Sequence, residues 1–369
     1  MTPAHASLAP SAPPARARVM VADDSVVVRG LISRWLAESG VEVVATVPNG
    51  LFAISALDRV EPDIVLLDLD MPELDGMATL PRLLEKRPGL SVVVISTLTQ
   101  RNADISLKCL SLGAVDYLPK PGSNREVTTS LSFRQELIAK VQELARPRRR
   151  PFSGAAITEA APLRPQPRSR ALPVMPRCLL IGASTGGPKA IADVLAGLGA
   201  AVLRSVPTLI VQHMPPIFTK VFAEHLQGMT GLPCREAEDG EAPLPGRVYV
   251  APGGRHMGLS RDRDQKVTLR LDDGPPVNFC RPAVDVLFRD AAAAFGASAL
   301  AVVLTGMGSD GLDGVKALAQ TGAAVIAQDE ATSVVWGMPG HVARSGLAHD
   351  VLPLDGIAAA IRAMLGGAR

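Results

Sequence analysis

Short apolar runs rich in Val, Ile and Leu recur along this chain, and amphipathic stretches separate them. The first set is "RVMVA" (18–22), "EVVATV" (42–47), "DIVLLD" (63–68), "SVVVIS" (91–96) and "VDYLP" (115–119), with helical patterns over 26–39, 50–60, 75–86, 103–111 and 130–145. A second set follows: "CLLIG" (178–182), "TLIVQ" (208–212), "RVYVAP" (247–252), "LAVVLT" (300–305), "AAVIAQ" (323–328) and "HDVLPL" (349–354). Strand-length runs alternating with helical patterns predict α/β architecture, with mostly parallel sheets covered on both faces. Sites in such folds collect at the C-terminal edge of the strands.

The alternation breaks once, from Arg146 to Arg177, where Arg and Pro crowd together and Glu159 is the only acid. Proline interrupts regular ladders and like charges repel, so this stretch reads as an extended linker. The expected organisation is an N-terminal tail over 1–16, a first domain over 17–145, a linker over 146–176 and a second domain over 177–369. The Ala- and Pro-rich tail lacks the continuous apolar segment of a signal peptide. A formal charge of +2 gives no strong field toward nucleic acid or a membrane. No apolar run approaches the roughly 18 residues that suggest a membrane span. The four cysteines (Cys109, Cys178, Cys234 and Cys280) are far apart, which argues against a zinc site or disulfide framework and fits a reducing cytoplasm.

In the first domain, polar residues fall at successive strand ends. Asp23 and Asp24 follow the first strand, Asp68 ends the third, Ser96 ends the fourth, and Lys120 follows the fifth. Converging carboxylates repel unless a cation offsets them, and a hard ion such as Mg²⁺ suits oxygen ligands while also holding a phosphoryl group. Taken singly, each residue reads better as a cap or a surface charge; their joint placement is what points to a site.

In the second domain, "IGASTGGP" fits G-x-S-x-G at Gly182, Ser184 and Gly186 on a strand-to-helix transition. Neither phosphate-loop spacing fits it. On this motif alone, a nucleophilic serine and a plain glycine-rich turn stay open. A nucleophile needs a base and an orienting acid. His213 ends the strand in "TLIVQHMPPIF", with His256 as its rival in "APGGRHMGL". Asp310 follows "LAVVLT" between glycines, and Asp313 is a weaker candidate that reads as a helix-end charge. Oxyanion donors are expected from the amides at the start of the helix, around Thr185 and Gly186, and from Met307.

Together, "VADDS", "LLDLDMPELDG", "VISTLT" and "YLPKP" resemble the receiver domain of two-component response regulators, over about 120 residues. The resemblance implies a flavodoxin-like fold with Asp68 as phospho-acceptor. Asp23, Asp24, Asp68 and the Asp70 carbonyl would organise Mg²⁺, and Ser96, Tyr117 and Lys120 would be the switch residues. "GASTGGP", "VQHMPPIFT", "VAPGGRHM", "RPAVDVLF" and "LTGMGSDGLDG" resemble the catalytic domain of the CheB-type chemotaxis methylesterase family. That likeness implies a doubly wound esterase domain with Ser184 as nucleophile, His213 as base and Asp310 as acid. The implied reaction is hydrolysis of glutamate γ-methyl esters on methyl-accepting chemoreceptors, and deamidation of receptor glutamines. A histidine kinase would be the phosphodonor, with no nucleic acid partner, no membrane insertion and no cofactor for the ester chemistry.

The family often reads "HRPSVD" where this chain has Cys280, Arg281, Pro282, Ala283, Val284 and Asp285. Cys280 has no obvious base in the sequence and reads as a packing residue. Two rival functions remain at this level: a regulator whose second domain only binds a partner, and a hydrolase of another substrate.

Overall fold

The computed structural model describes residues 17–121, 127, 129–145, 174–264 and 266–366; the tail and most of the linker expected from the sequence lie outside these. The first sheet holds β1 (Arg18–Ala22), β2 (Glu42–Val47), β3 (Ile64–Asp68), β4 (Ser91–Thr97) and β5 (Asp116–Lys120) in the order β2-β1-β3-β4-β5. Every pairing is parallel. The three central strands are almost wholly buried because helices cover both faces, which is why their sequences are continuous apolar runs. The helices are α1 (Val26–Glu38), α2 (Gly50–Val60), α3 (Gly76–Lys86), α4 (Gln100–Ser111) and α5 (Leu131–Leu144). Their starts follow side-chain caps, such as Ser25 Oγ accepting from Val28 N at 3.3 Å and Asp75 Oδ1 accepting from Ala78 N at 2.8 Å.

The second sheet has seven strands. They are β6 (Cys178–Ala183), β7 (Thr208–Gln212), β8 (Cys234–Glu236), β9 (Val248–Val250), β12 (Ala299–Val303), β13 (Ala324–Gln328) and β14 (Asp350–Leu352), in the order β14-β13-β12-β6-β7-β9-β8. All its pairings are parallel. The chain winds outward from β6 in one direction through β7 and β9, then returns to β12 and winds the other way. The switch point of the sheet therefore lies between β6 and β12, where ligands of open α/β sheets bind. The covering helices are α6 (Gly187–Leu203), α7 (Phe218–Thr230), α8 (Val284–Phe295), α9 (Leu312–Thr321), α10 (Met338–Ser345) and α11 (Leu354–Gly366).

Two features depart from the sequence expectation. The three-residue β8 adds an edge strand, and β10 (His256–Arg261) pairs antiparallel with β11 (Val267–Asp272) as a separate hairpin. The alternation in "VTLRLD" carries that signal, whereas "CRE" is too short to carry any.

The two sheets share one apolar cluster. At its seam Tyr117 of β5 stacks on Phe218 of α7, with ring centroids 4.6 Å apart and planes 8° from parallel. Among the described residues, no helix is long and apolar enough to cross a membrane.

Phe288 is fully buried in α8, beneath the helix end that reaches the β6/β12 switch point. Phe288→Ala should destabilise the protein by about 3–5 kcal/mol, because the cavity adds to the lost transfer energy. Chemical denaturation should show a lower midpoint at an unchanged slope. An unchanged midpoint would contradict this packing.

Candidate active site

The register of β6 against β7 places Ala183 opposite Gln212, so Ser184 and His213 leave adjacent strands side by side. His213 N donates to Ala183 O at 3.1 Å, extending the pairing by one residue. Ser184 is fixed through its backbone: its N–H donates to Thr305 O at 3.0 Å, and its carbonyl accepts from Gln212 Nε2 at 2.9 Å and Gly187 N at 2.7 Å. Gly186 has φ of 75°, which lets the chain turn directly into α6. Opposite, a methyl group on Gly306 would lie 2.8 Å from Ser184 Cβ, so only glycine admits the serine so close to the loop after β12.

Asp310 lies in that loop, buried, and meets the imidazole: Oδ2 is 2.8 Å from His213 Nε2. Four further donors surround its carboxylate. Val284 N reaches Oδ2 at 2.6 Å, while Asp285 N at 3.0 Å, Gly311 N at 3.0 Å and Asn278 Nδ2 at 3.2 Å reach Oδ1. The first two belong to the start of α8, whose unpaired amides and dipole favour a negative charge. Burial alone would raise Asp310, but the His213 hydrogen bond and charge and these amides hold it below the usual carboxylate range. Asp285 is the opposite case: burial raises it, with the Asp310 charge adding to the effect.

Nε2 is committed to Asp310, so Nδ1 is the ring nitrogen left for chemistry. Cys280 Sγ lies 3.5 Å from it. The sequence reading of Cys280 as a packing residue without a base is thus corrected: the thiol is half-buried and faces the imidazole. Burial opposes the imidazolium, but Asp310 and Cys280 together push His213 up to about 10. Among the described residues, the amides of Thr185, Gly186 and Met307 have no hydrogen-bond partner.

The competing candidates are engaged elsewhere. His256 is buried, with Nε2 against Pro275 O at 3.0 Å and Nδ1 accepting from Ala283 N at 3.2 Å, so it staples a loop. Asp313 is in the first turn of α9 and pairs with Lys316 at 2.7 Å. Asn278 and Asp285 brace the acid and were not expected to do so; the only sequence hint is their place in "VNFCRPAVD".

In the first sheet, the ligand atoms of Asp23, Asp24 and Asp68 lie within 4.8 Å of one another. Lys120 Nζ reaches Asp68 Oδ1 at 2.7 Å and Asp23 Oδ2 at 3.3 Å. Asp68 Oδ2 is buried with no partner among the described residues, which suits a cation or a phosphoryl acceptor. Burial pushes Asp68 up to about 7; Lys120 opposes this and Asp23 adds to it. Asp70 is exposed, its carboxylate accepting from Asn102 Nδ2 at 2.9 Å. Ser96 is buried, its hydroxyl 2.9 Å from that of Ser106 on α4. Tyr117 is buried against Phe218, and Lys140 Nζ donates to its carbonyl at 2.8 Å.

Two known families match the chain. The response regulator receiver domain family matches residues 19–132, and the CheB methylesterase family matches residues 179–361. A protein of Nitrobacter hamburgensis is 52% identical over 353 residues, covering 92% of each chain. A protein of Rhodopseudomonas palustris is 48% identical over 367 residues, covering 95% of each. Both are named protein-glutamate methylesterase/protein-glutamine glutaminase. The chain belongs to the CheB methylesterase family. A solved CheB methylesterase catalytic domain from Thermotoga maritima is 41% identical, covers 51% of this chain and 98% of its own, and has a TM-score of 0.48. Membership in the CheB family gives the chain a receiver domain joined to a hydrolase domain and sets aside the reading in which the second domain only binds a partner.

Cys280 is one of the two groups that raise His213, so Cys280→Ala should lower the imidazole pKa. Ester hydrolysis needs the neutral ring, so activity should rise with pH through that pKa. The acid limb of the kcat/KM profile should therefore move to lower pH in Cys280→Ala. An unmoved limb, or one moved upward, would contradict the contact.

Proposed function

We propose that Ser184, His213 and Asp310 carry out ester hydrolysis on glutamate side chains of methylated chemoreceptors, under the control of phosphorylation at Asp68. The observation that carries this reading is the 2.8 Å contact between His213 and a buried Asp310, beside a serine on the neighbouring strand end.

Ser184 Oγ attacks the ester carbonyl while its proton passes to His213 Nδ1, and Asp310 holds the proton on Nε2. Charge develops on the carbonyl oxygen, where the amides of Thr185, Gly186 and Met307 stabilise it; one such donor is typically worth ~10²–10³ in rate. The tetrahedral adduct collapses, the C–OCH₃ bond breaks, and methoxide takes the Nδ1 proton and leaves as methanol. Water then attacks the acyl-enzyme, giving its proton to Nδ1, and Ser184 recovers a proton as the glutamate carboxylate departs. A glutamine side chain follows the same course, with ammonia as leaving group, so methylesterase and glutaminase activities share one site. The ester chemistry uses only these side chains and amides.

Asp68 accepts a phosphoryl group from a histidine kinase. Asp23, Asp24, Asp68 and the Asp70 carbonyl would hold Mg²⁺, which supplies charge neutralisation for the phosphoryl oxygens. A phosphoryl group adds about −1.5 to −2 charges beside Lys120 and offers Ser96 a new acceptor. Ser96 then exchanges Ser106 for phosphate, and Tyr117 leaves its stack on Phe218, loosening the seam between the two sheets. The kinase and receptors place this work in the cytoplasm.

Ser184→Ala should leave the fold and Asp68 phosphorylation intact while abolishing methanol release. Rapid quenching of the unaltered enzyme with a glutamyl methyl ester should give a covalent adduct on the peptide bearing Ser184 by mass spectrometry. Methanol release by Ser184→Ala at the unaltered rate would refute the assignment.

A further inference from the structure

Beside His213 and Asp310, residues 277–280 form a two-residue turn. Val277 and Cys280 exchange both backbone hydrogen bonds, at 3.0 and 2.9 Å, leaving Asn278 and Phe279 at the tip. Both tip residues have positive φ, 51° and 64°. Turns of this kind take Asn-Gly, because asparagine tolerates the left-handed region and glycine adopts it freely. Asn278 meets that demand. Phe279 does not: a bulky side chain there is a true conformational outlier. It gains nothing from packing, since Phe279 is 102% exposed, the most exposed large hydrophobic residue among those described.

The mount beneath this side chain is rigid and is made of the catalytic constellation itself. Asn278 Nδ2 donates to Asp285 Oδ2 at 2.7 Å and Asp310 Oδ1 at 3.2 Å. Cys280 Sγ faces His213 Nδ1 at 3.5 Å. Arg281 donates to the carbonyls of Asp273 and Gly274, at 2.9 Å each, and His256 ties Pro275 to Ala283. Phe279 is thus flanked in sequence by one residue touching the acid and one touching the base. Strained residues cluster at functional sites, where the surroundings hold them against their own preference. An isolated exposed apolar side chain is unremarkable; one held in a disfavoured conformation by the acid and base of an esterase is not.

We propose that Phe279 determines specificity for protein substrates: it packs against an apolar side chain flanking the esterified glutamate as that glutamate enters toward Ser184. This rests on the esterase reading above. A small ester reaches the cleft without covering the tip of the turn, whereas a protein delivering one side chain into the cleft must lie across its rim. A rigid aromatic anchor at the rim is how protein interfaces concentrate binding energy.

The test compares two substrates and three variants of the full chain. The substrates are a protein fragment bearing glutamate γ-methyl esters and the small ester N-acetylglutamate γ-methyl ester. Phe279→Ala should raise KM for the protein fragment about tenfold or more, with kcat little changed, and leave kcat/KM for the small ester within about twofold. Phe279→Leu should restore most of the affinity. Phe279→Gly should raise the melting temperature by relieving the strained backbone while losing affinity for the fragment. A purely structural role would move stability and affinity together. Equal KM values for the fragment in the unaltered enzyme and Phe279→Ala would overturn the proposal alone. An unaltered enzyme that hydrolyses neither substrate would overturn the esterase reading, and this proposal with it.

Discussion

The buried carboxylate of Asp310 is the fixed point of the catalytic half. It sits at the switch point of the second sheet, where two amides from the start of α8, one from Gly311 and one side-chain amide converge on it. An ionised carboxylate in such a place is expensive unless it is paired and fully hydrogen-bonded, and here it is both. The same arrangement orients the imidazole: with Nε2 held, Nδ1 is turned toward Cys280. The constellation depends on the fold's placement of β6, β7, β12 and α8, because each delivers one part of it at or just beyond its end.

The receiver half is built on the reverse problem, an excess of negative charge. Asp23 and Asp68 share Lys120, which leaves one Asp68 oxygen buried without a partner among the described residues. The strain of that arrangement is local, but its seam with the esterase is not. Tyr117, two strands from Asp68, stacks on Phe218, and Phe218 begins the helix that follows His213 by a few residues. An aromatic stack is worth ~0.5–1.5 kcal/mol beyond its buried area. That lies close to the ~1–3 kcal/mol of typical coupling between sites. A single aromatic contact is therefore of the right size to carry a substantial part of the gating.

Much of this was legible in the sequence because parallel α/β folds write themselves plainly. Buried strands are continuous apolar runs, and their ends are marked by the first polar residue, so Asp23, Asp68, Ser184 and His213 could be placed at strand ends, and Asp310 in the loop after one, without coordinates. The β10–β11 hairpin and the edge strand β8 were missed, since short antiparallel pieces outside the main sheet follow no helix–strand rhythm. Cys280 was misread for a different reason. Its contact with His213 spans 67 positions and depends on a turn whose residues, Asn278 and Phe279, have backbone angles no periodicity reveals. The bracing of Asp310 by Asn278 and Asp285 was hidden for the same cause. Hydrogen bonds between distant loops leave no spacing signature.

In the proposed mechanism, charge placed on Asp68 releases an esterase whose chemistry is already assembled. Methanol release from a methylated chemoreceptor fragment by the full chain, with Mg²⁺, before and after a small-molecule phosphodonor, with Asp68→Asn alongside, decides this. The rate should rise roughly 5- to 150-fold on adding the donor, and not in Asp68→Asn. Equal rates before and after, with phosphorylation of Asp68 verified by mass spectrometry, would contradict it.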